Sequence, residues 1–210
     1  MNTVAVKIPA DSIELEGELT IPSTASGIVV FAHGSGSSRF SPRNSFVAQM
    51  LHRHGMATLL FDLLTRDEDQ DYSTRFDIDL LTRRLIAATA WLRINPVTEN
   101  LKIGYFGAST GAAAALQAAA KMGTGVVAVV SRGGRPDLAE TNALSRVLAP
   151  TLLIVGSEDH AVIELNEQAY VSLACTKDFA IVPGATHLFE EPGTLKKAAK
   201  LAADWFLMYL

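Results

Sequence analysis

Six largely apolar runs, separated by segments with helical periodicity, constrain this chain more than any other feature. They cover residues 27–32 (GIVVFA), 57–61, 101–106, 126–130, 151–155 and 179–182. A strand with one wet face alternates apolar and polar residues, so a run with no polar face has to be covered on both sides. The covering elements lie between the runs. Residues 44–54 place Phe46, Val47, Met50 and Leu51 on one helical face and stop at Gly55, a natural C-terminal cap. Residues 74–94 carry Ile78, Leu81, Leu85, Ala88 and Leu92 on one face and end before Pro96, while 110–122 end at Gly123. Residues 163–173 and 195–210 complete the helices. Strands alternating with helices predict a mainly parallel sheet with helices on both faces. Ahead of them, 4–8 and 13–21 alternate across the turn Pro9-Ala10-Asp11-Ser12 and read as an antiparallel hairpin at the sheet edge. The expectation is one α/β domain over residues 1–210 with a mostly parallel eight-stranded sheet.

Composition narrows the setting. Hydrophobic residues make up 49% and charged residues 19%, an ordinary globular balance. A net charge of −4, with no basic helix face, gives no reason to expect nucleic acid. No apolar stretch reaches membrane-spanning length and the first residues lack the pattern of a signal peptide, so no membrane partner is expected. Cys175 stands alone, which rules out an internal disulfide and a cysteine-built zinc site, and favours a reducing, cytoplasmic compartment. The acidic patch Asp67-Glu68-Asp69-Gln70-Asp71 reads as a solvated loop that lends negative charge to the start of the following helix. It lacks the glycine of a calcium loop, and no metal or other cofactor is expected.

The chemistry is carried by Gly107-Ala108-Ser109-Thr110-Gly111, a G-x-S-x-G placed where a strand ends and a helix begins. In that context the turn is sharp, the flanking positions have to be small, and the serine hydroxyl is held above the sheet. A serine hydroxyl is a weak nucleophile at neutral pH and needs a base, which in turn needs an orienting acid. Asp159 follows the run at 151–155 and His187 follows the run at 179–182. All three fall in loops after sheet strands, where catalytic groups of open α/β sheets collect, in the order serine, acid, histidine. Asp159 also qualifies as a helix N-cap, and Glu158 is a second candidate acid. His160 reads as a surface or rim residue, and His52 and His54 as solvent-facing.

A developing oxyanion needs two N–H donors. Thr110 follows the nucleophile, and His33-Gly34-Ser35-Gly36-Ser37-Ser38 follows the first of the apolar runs, so the amides of Ser35 and Thr110 are the expected pair. The same loop begins like a dinucleotide fingerprint, but Arg39 occupies the place of its third glycine and no Lys-Ser/Thr pair completes a phosphate loop.

With these segments placed, the chain resembles the α/β-hydrolase superfamily over essentially its whole length. It is most similar to the small dienelactone-hydrolase-like group, through residues 33–37 (HGSGS), 104–109 (GYFGAS), 131–137 (SRGGRPD) and 184–189 (GATHLF). The resemblance implies the α/β-hydrolase fold, with Ser109 as nucleophile, His187 as base and Asp159 as orienting acid. Dienelactone hydrolase proper uses a cysteine nucleophile, whereas this elbow carries serine, so generic esterase chemistry is the expectation. Similar domains also occur fused to phosphoribosyltransferase domains, and no such segment is found in these residues.

Only residues 131–149 separate the fourth and fifth of the six runs, too few for a cap domain, which predicts an open cleft. Arg132 and Arg135 fall near its mouth and either hold a substrate carboxylate or phosphate or pair with Asp137 or Asp62 to pin the loop. The expected function is hydrolysis of short-chain carboxylic esters or lactones, a small-molecule substrate class, through an acyl-enzyme. The alternatives are a thioesterase or peptidase with the same residues, or a non-catalytic binding protein. The apolar end of the last helix (Trp205, Phe206, Met208, Tyr209, Leu210) leaves a homo-oligomer open.

Overall fold

A computed structural model describes all 210 residues. The chain begins with a hairpin of β1 (Asn2–Ala10) and β2 (Ile13–Ile21), then continues through β3 (Gly27–Ala32), α1 (Pro42–Arg53), β4 (Ala57–Phe61) and α2 (Ile78–Ile94). It goes on through β5 (Lys102–Ala108), α3 (Thr110–Met122), β6 (Ala128–Arg132) and β7 (Thr151–Gly156), and closes with α4 (His160–Ser172), β8 (Lys177–Val182) and α5 (Thr194–Tyr209). The eight strands form one sheet in the order β1-β2-β4-β3-β5-β6-β7-β8. β1 pairs antiparallel with β2 and β2 antiparallel with β4, and every other pairing is parallel.

Every residue of β3, β4, β6 and β7 is buried, as continuous apolar runs require. One apolar cluster joins α2, α3 and part of α4 to one face of the sheet, and a second joins α1 and α5 to the other. The alanine-rich sequence of α3 lets it lie close on the central strands, with ten of its residues buried. Between β6 and β7 the chain makes two short 3-10 turns, Pro136–Leu138 and Leu144–Arg146, and no cap domain.

Several boundaries differ from the sequence reading for physical reasons. β6 runs two residues later than the apolar run, because Ser131 and Arg132 are buried in the sheet despite their polarity. α2 starts at Ile78, where the Asp77 carboxylate accepts the Leu80 N–H and caps the helix. The residues before it, Tyr72–Phe76, form a separate 3-10 turn. The acidic patch is tied inward rather than simply solvated: Glu68 accepts from buried Arg84 at 2.8 Å, and Asp69 accepts from Arg75 at 2.9 Å.

Candidate active site

The turn from β5 into α3 is built around close packing. A Cβ on Gly107 would sit 2.4 Å from the Ala112 Cα, and one on Gly111 would sit 2.2 Å from the Ala32 carbonyl oxygen. Neither position has room for any side chain. Ser109 between them adopts φ 51°, ψ −122°, a conformation that costs a non-glycine residue about 1–3 kcal/mol. Three backbone hydrogen bonds hold it there. Its N–H donates to the Arg132 carbonyl, and its own carbonyl accepts from the Ala112 and Arg135 amides.

Ser109 occupies the N-cap position of α3, yet its hydroxyl caps nothing. It lies 3.4 Å from His187 Nε2 instead. Asp159 stands at the N-cap of α4 and likewise makes no capping bond. The N-cap reading of Asp159 therefore fails at the side chain, because the carboxylate accepts from His187 Nδ1 at 2.6 Å. Since a carboxylate only accepts, the histidine proton sits on Nδ1 and Nε2 is left free to receive the serine proton. Glu158, the other candidate acid, accepts from the Ser157 hydroxyl at the surface.

The loop after β3 lies directly against this serine, since a Cβ on Gly34 would come within 3.1 Å of the Ser109 Cβ. Neither the Ser35 N–H nor the Thr110 N–H donates to a backbone or side-chain acceptor, so both remain free. Ser35 lines the cleft that holds the Ser109 hydroxyl, and Thr110, next to the serine in sequence, is buried and does not line it. His33 fixes the loop, a role the sequence reading missed. Its Nε2 accepts the Leu63 N–H at 3.1 Å, so Nδ1 carries the proton and donates to the Gly34 carbonyl at 3.0 Å. Burial lowers the His33 pKa and keeps the ring neutral, as that arrangement demands. The histidine next to glycine was the available signal.

Arg135 makes a two-pronged ion pair with Asp137 (2.8 and 2.7 Å) and does not line the cleft, so its loop-pinning role is the one seen. Arg132 lines the cleft and pairs with neither Asp137 nor Asp62, the latter being taken by Arg39. Its Nε and Nη1 are buried without an acceptor, and its guanidinium lies 5.6 Å from the centre of the Phe189 ring. Burial, followed by the nearby positive charge of Arg43, pushes the Arg132 pKa down to about 10. His54 and His160 are exposed as expected. His52 is not: it is partly buried, with Nε2 2.7 Å from the Thr58 hydroxyl.

Around Ser109 and His187 lies a cleft of about 210 Å³ lined by Gly34, Ser35, Ser37, Ser41, Arg43, Asn44, Ala108, Arg132 and Leu188. No group of three or more His, Cys, Asp or Glu side chains is arranged to hold a metal ion. No helix is long and apolar enough to cross a membrane.

An eight-stranded, mostly parallel sheet with a serine at the β5–α3 turn and a histidine beyond β8 defines the α/β-hydrolase fold. Residues 15–209 match the dienelactone hydrolase family, and the chain belongs to that family. It is 56% identical to a dienelactone hydrolase from Anabaena variabilis of known crystal structure, with a TM-score of 0.96 over 100% of this chain and 98% of that one. The esterase domain of a Rhodothermus marinus protein shares the fold at 18% identity, with a TM-score of 0.80 over 100% of this chain and 99% of that one. A Mycobacterium tuberculosis protein with the provisional name phosphoribosyl transferase is 57% identical over 205 residues, 98% of this chain. The chain spans only 46% of that relative's length.

Proposed function

We propose that this hydrolase is a serine esterase that cleaves short-chain carboxylic esters or lactones through an acyl-enzyme intermediate. The observation that carries the reading is the unbroken chain from Asp159 through His187 to Ser109, at 2.6 and 3.4 Å, with Nε2 as its free acceptor. Membership of a hydrolase family supports it.

The serine Oγ attacks the ester carbonyl carbon as its proton passes to His187 Nε2. Asp159 then faces an imidazolium and stabilises it. The former carbonyl oxygen becomes an oxyanion and accepts from the Ser35 and Thr110 amides, which no other acceptor occupies. As the C–O bond breaks, Nε2 returns the proton to the leaving alcohol. Water repeats the sequence on the acyl-serine, releasing the acid and regenerating the hydroxyl. The small cleft, open because nothing caps it, suits short acyl groups.

Ser109→Ala removes the nucleophile and leaves the binding surface, so hydrolysis of p-nitrophenyl acetate should fall by about 10³-fold or more. Intact mass after fluorophosphonate treatment should show one adduct on the unmodified protein and none on the variant. Unchanged turnover in the variant would refute the assignment. A panel of ester, thioester and amide substrates separates esterase from thioesterase or peptidase activity.

A further inference from the structure

The cleft beside Ser109 is positively charged in a protein whose formal net charge is −4. Arg43 and Arg132 both line it, and no Asp or Glu does. Arg132 is only 6% exposed, and a guanidinium with two N–H-bearing nitrogens lacking acceptors is a costly thing to bury. Nε and Nη1 are closed off from the cleft, so an anion there meets the guanidinium at Nη2, which has no protein acceptor either, and stabilises the shared charge.

A second source of positive potential points to the same space. α1 begins at this cleft, with Ser41 at its N-cap, Pro42 next, and no acidic residue in its first turn. The Ser41 hydroxyl accepts the Asn44 N–H, while the Arg43 N–H finds no acceptor. A helix N-terminus with a free amide attracts negative charge. Arg43 itself reaches Glu190 at 3.0 Å, but both side chains are solvent-accessible and that pair lies at the rim. The two arginines also repel each other, since the charge of Arg43 helps depress the pKa of Arg132.

Resting on the hydrolase reading above, we infer that the substrate carries a doubly charged oxyanion, a phosphate-type group, seated between Arg132, Arg43 and the start of α1. Arg132 and the helix terminus, with Arg43 adding the charge it shares with Glu190 at the rim, outmatch a single carboxylate and suit a dianion. Arg132 leaves β6 at the position paired with Ala108, one residue before the serine. The charged group and the ester being cleaved therefore share one cleft of about 210 Å³. The substrate class is a small phosphorylated or comparably charged ester, distinct from a neutral lipid-like one.

The test is calorimetric titration of the full chain bearing Ser109→Ala with inorganic phosphate, sulfate and acetate at fixed ionic strength. Phosphate and sulfate should bind with Kd of about 1 mM or tighter, and acetate about tenfold or more weakly. Adding Arg132→Gln or, at the accessible rim, Arg43→Gln should each weaken phosphate about tenfold. In the unmodified protein, phosphate should raise KM for p-nitrophenyl acetate and leave kcat alone. Acetate binding as tightly as phosphate overturns the dianion in favour of a carboxylate. Phosphate affinity indifferent to both arginine substitutions, or no binding at all, overturns the site. Phosphate binding without ester hydrolysis breaks the esterase reading and leaves this site standing; hydrolysis without phosphate binding does the reverse.

Discussion

Replacing Ser109 by glycine should make the protein more stable while abolishing its reaction. The serine is held at φ 51°, ψ −122°, where a side chain is strained by about 1–3 kcal/mol and glycine is not. Glycine gives back about 0.5–1 kcal/mol through the greater freedom of its unfolded chain. Alanine at the same position keeps the strain and loses only the long 3.4 Å contact to His187. Ser109→Gly should therefore exceed Ser109→Ala in stability by about 0–2.5 kcal/mol, with a few tenths more because glycine is the better N-cap, a central value of about 1.5 kcal/mol. For a chain of this size, that central value raises Tm by about 3–6 °C. Thermal unfolding of the two variants, side by side and at equal concentration, measures it. If the glycine variant melts at or below the alanine variant, the elbow is not strained and the argument fails.

Asp159→Asn keeps the shape of the acid but lets His187 adopt the wrong tautomer, so kcat should drop by about 10³–10⁴-fold while the protein stays folded by circular dichroism. A loss under tenfold would remove Asp159 from the machinery. His33 is buried and its pKa is lowered from the ordinary 6.5, so the unfolded chain takes up a proton more readily than the folded one. Its contribution is complete above about pH 6.5 and is lost as pH falls from there through the folded pKa. The pKa of His52 is depressed by burial with the same sign. The urea midpoint of a His52→Gln variant should still fall between pH 7 and 5.5, and a flat profile there would clear His33 of the role.

The sheet was legible because strands covered on both faces are predominantly apolar, and chance seldom produces six such runs; β8, at the sheet edge, is apolar yet only partly buried. The elbow was legible because Gly107 and Gly111 answer to steric limits that act within five residues. Side-chain pairing was not. Arg132 and Arg135 stand three apart in the same segment, and only the three-dimensional path sends one inward without a partner and the other outward to Asp137. His52 looks exposed at a helix end until β4 brings Thr58 beside it. The bounds of β6 are hidden from hydropathy, which counts Val126 as strand and Ser131 as loop, whereas the neighbouring strands decide the register. The contribution of α1 to the cleft was equally hidden, since Ser41 and Arg43 form no motif.

The three groups in the hydrogen-bonded chain come from the ends of β5, β7 and β8, and His187 lies 78 residues after Ser109. As the chain is synthesised at about 5–20 residues per second, the serine precedes this histidine by about 4–16 s. Through that interval a strained turn can form, but the 3.4 Å contact with His187 Nε2 cannot. On the mechanism proposed above, the hydroxyl stays inert on the nascent chain, and reactivity arrives only when the far edge of the sheet docks.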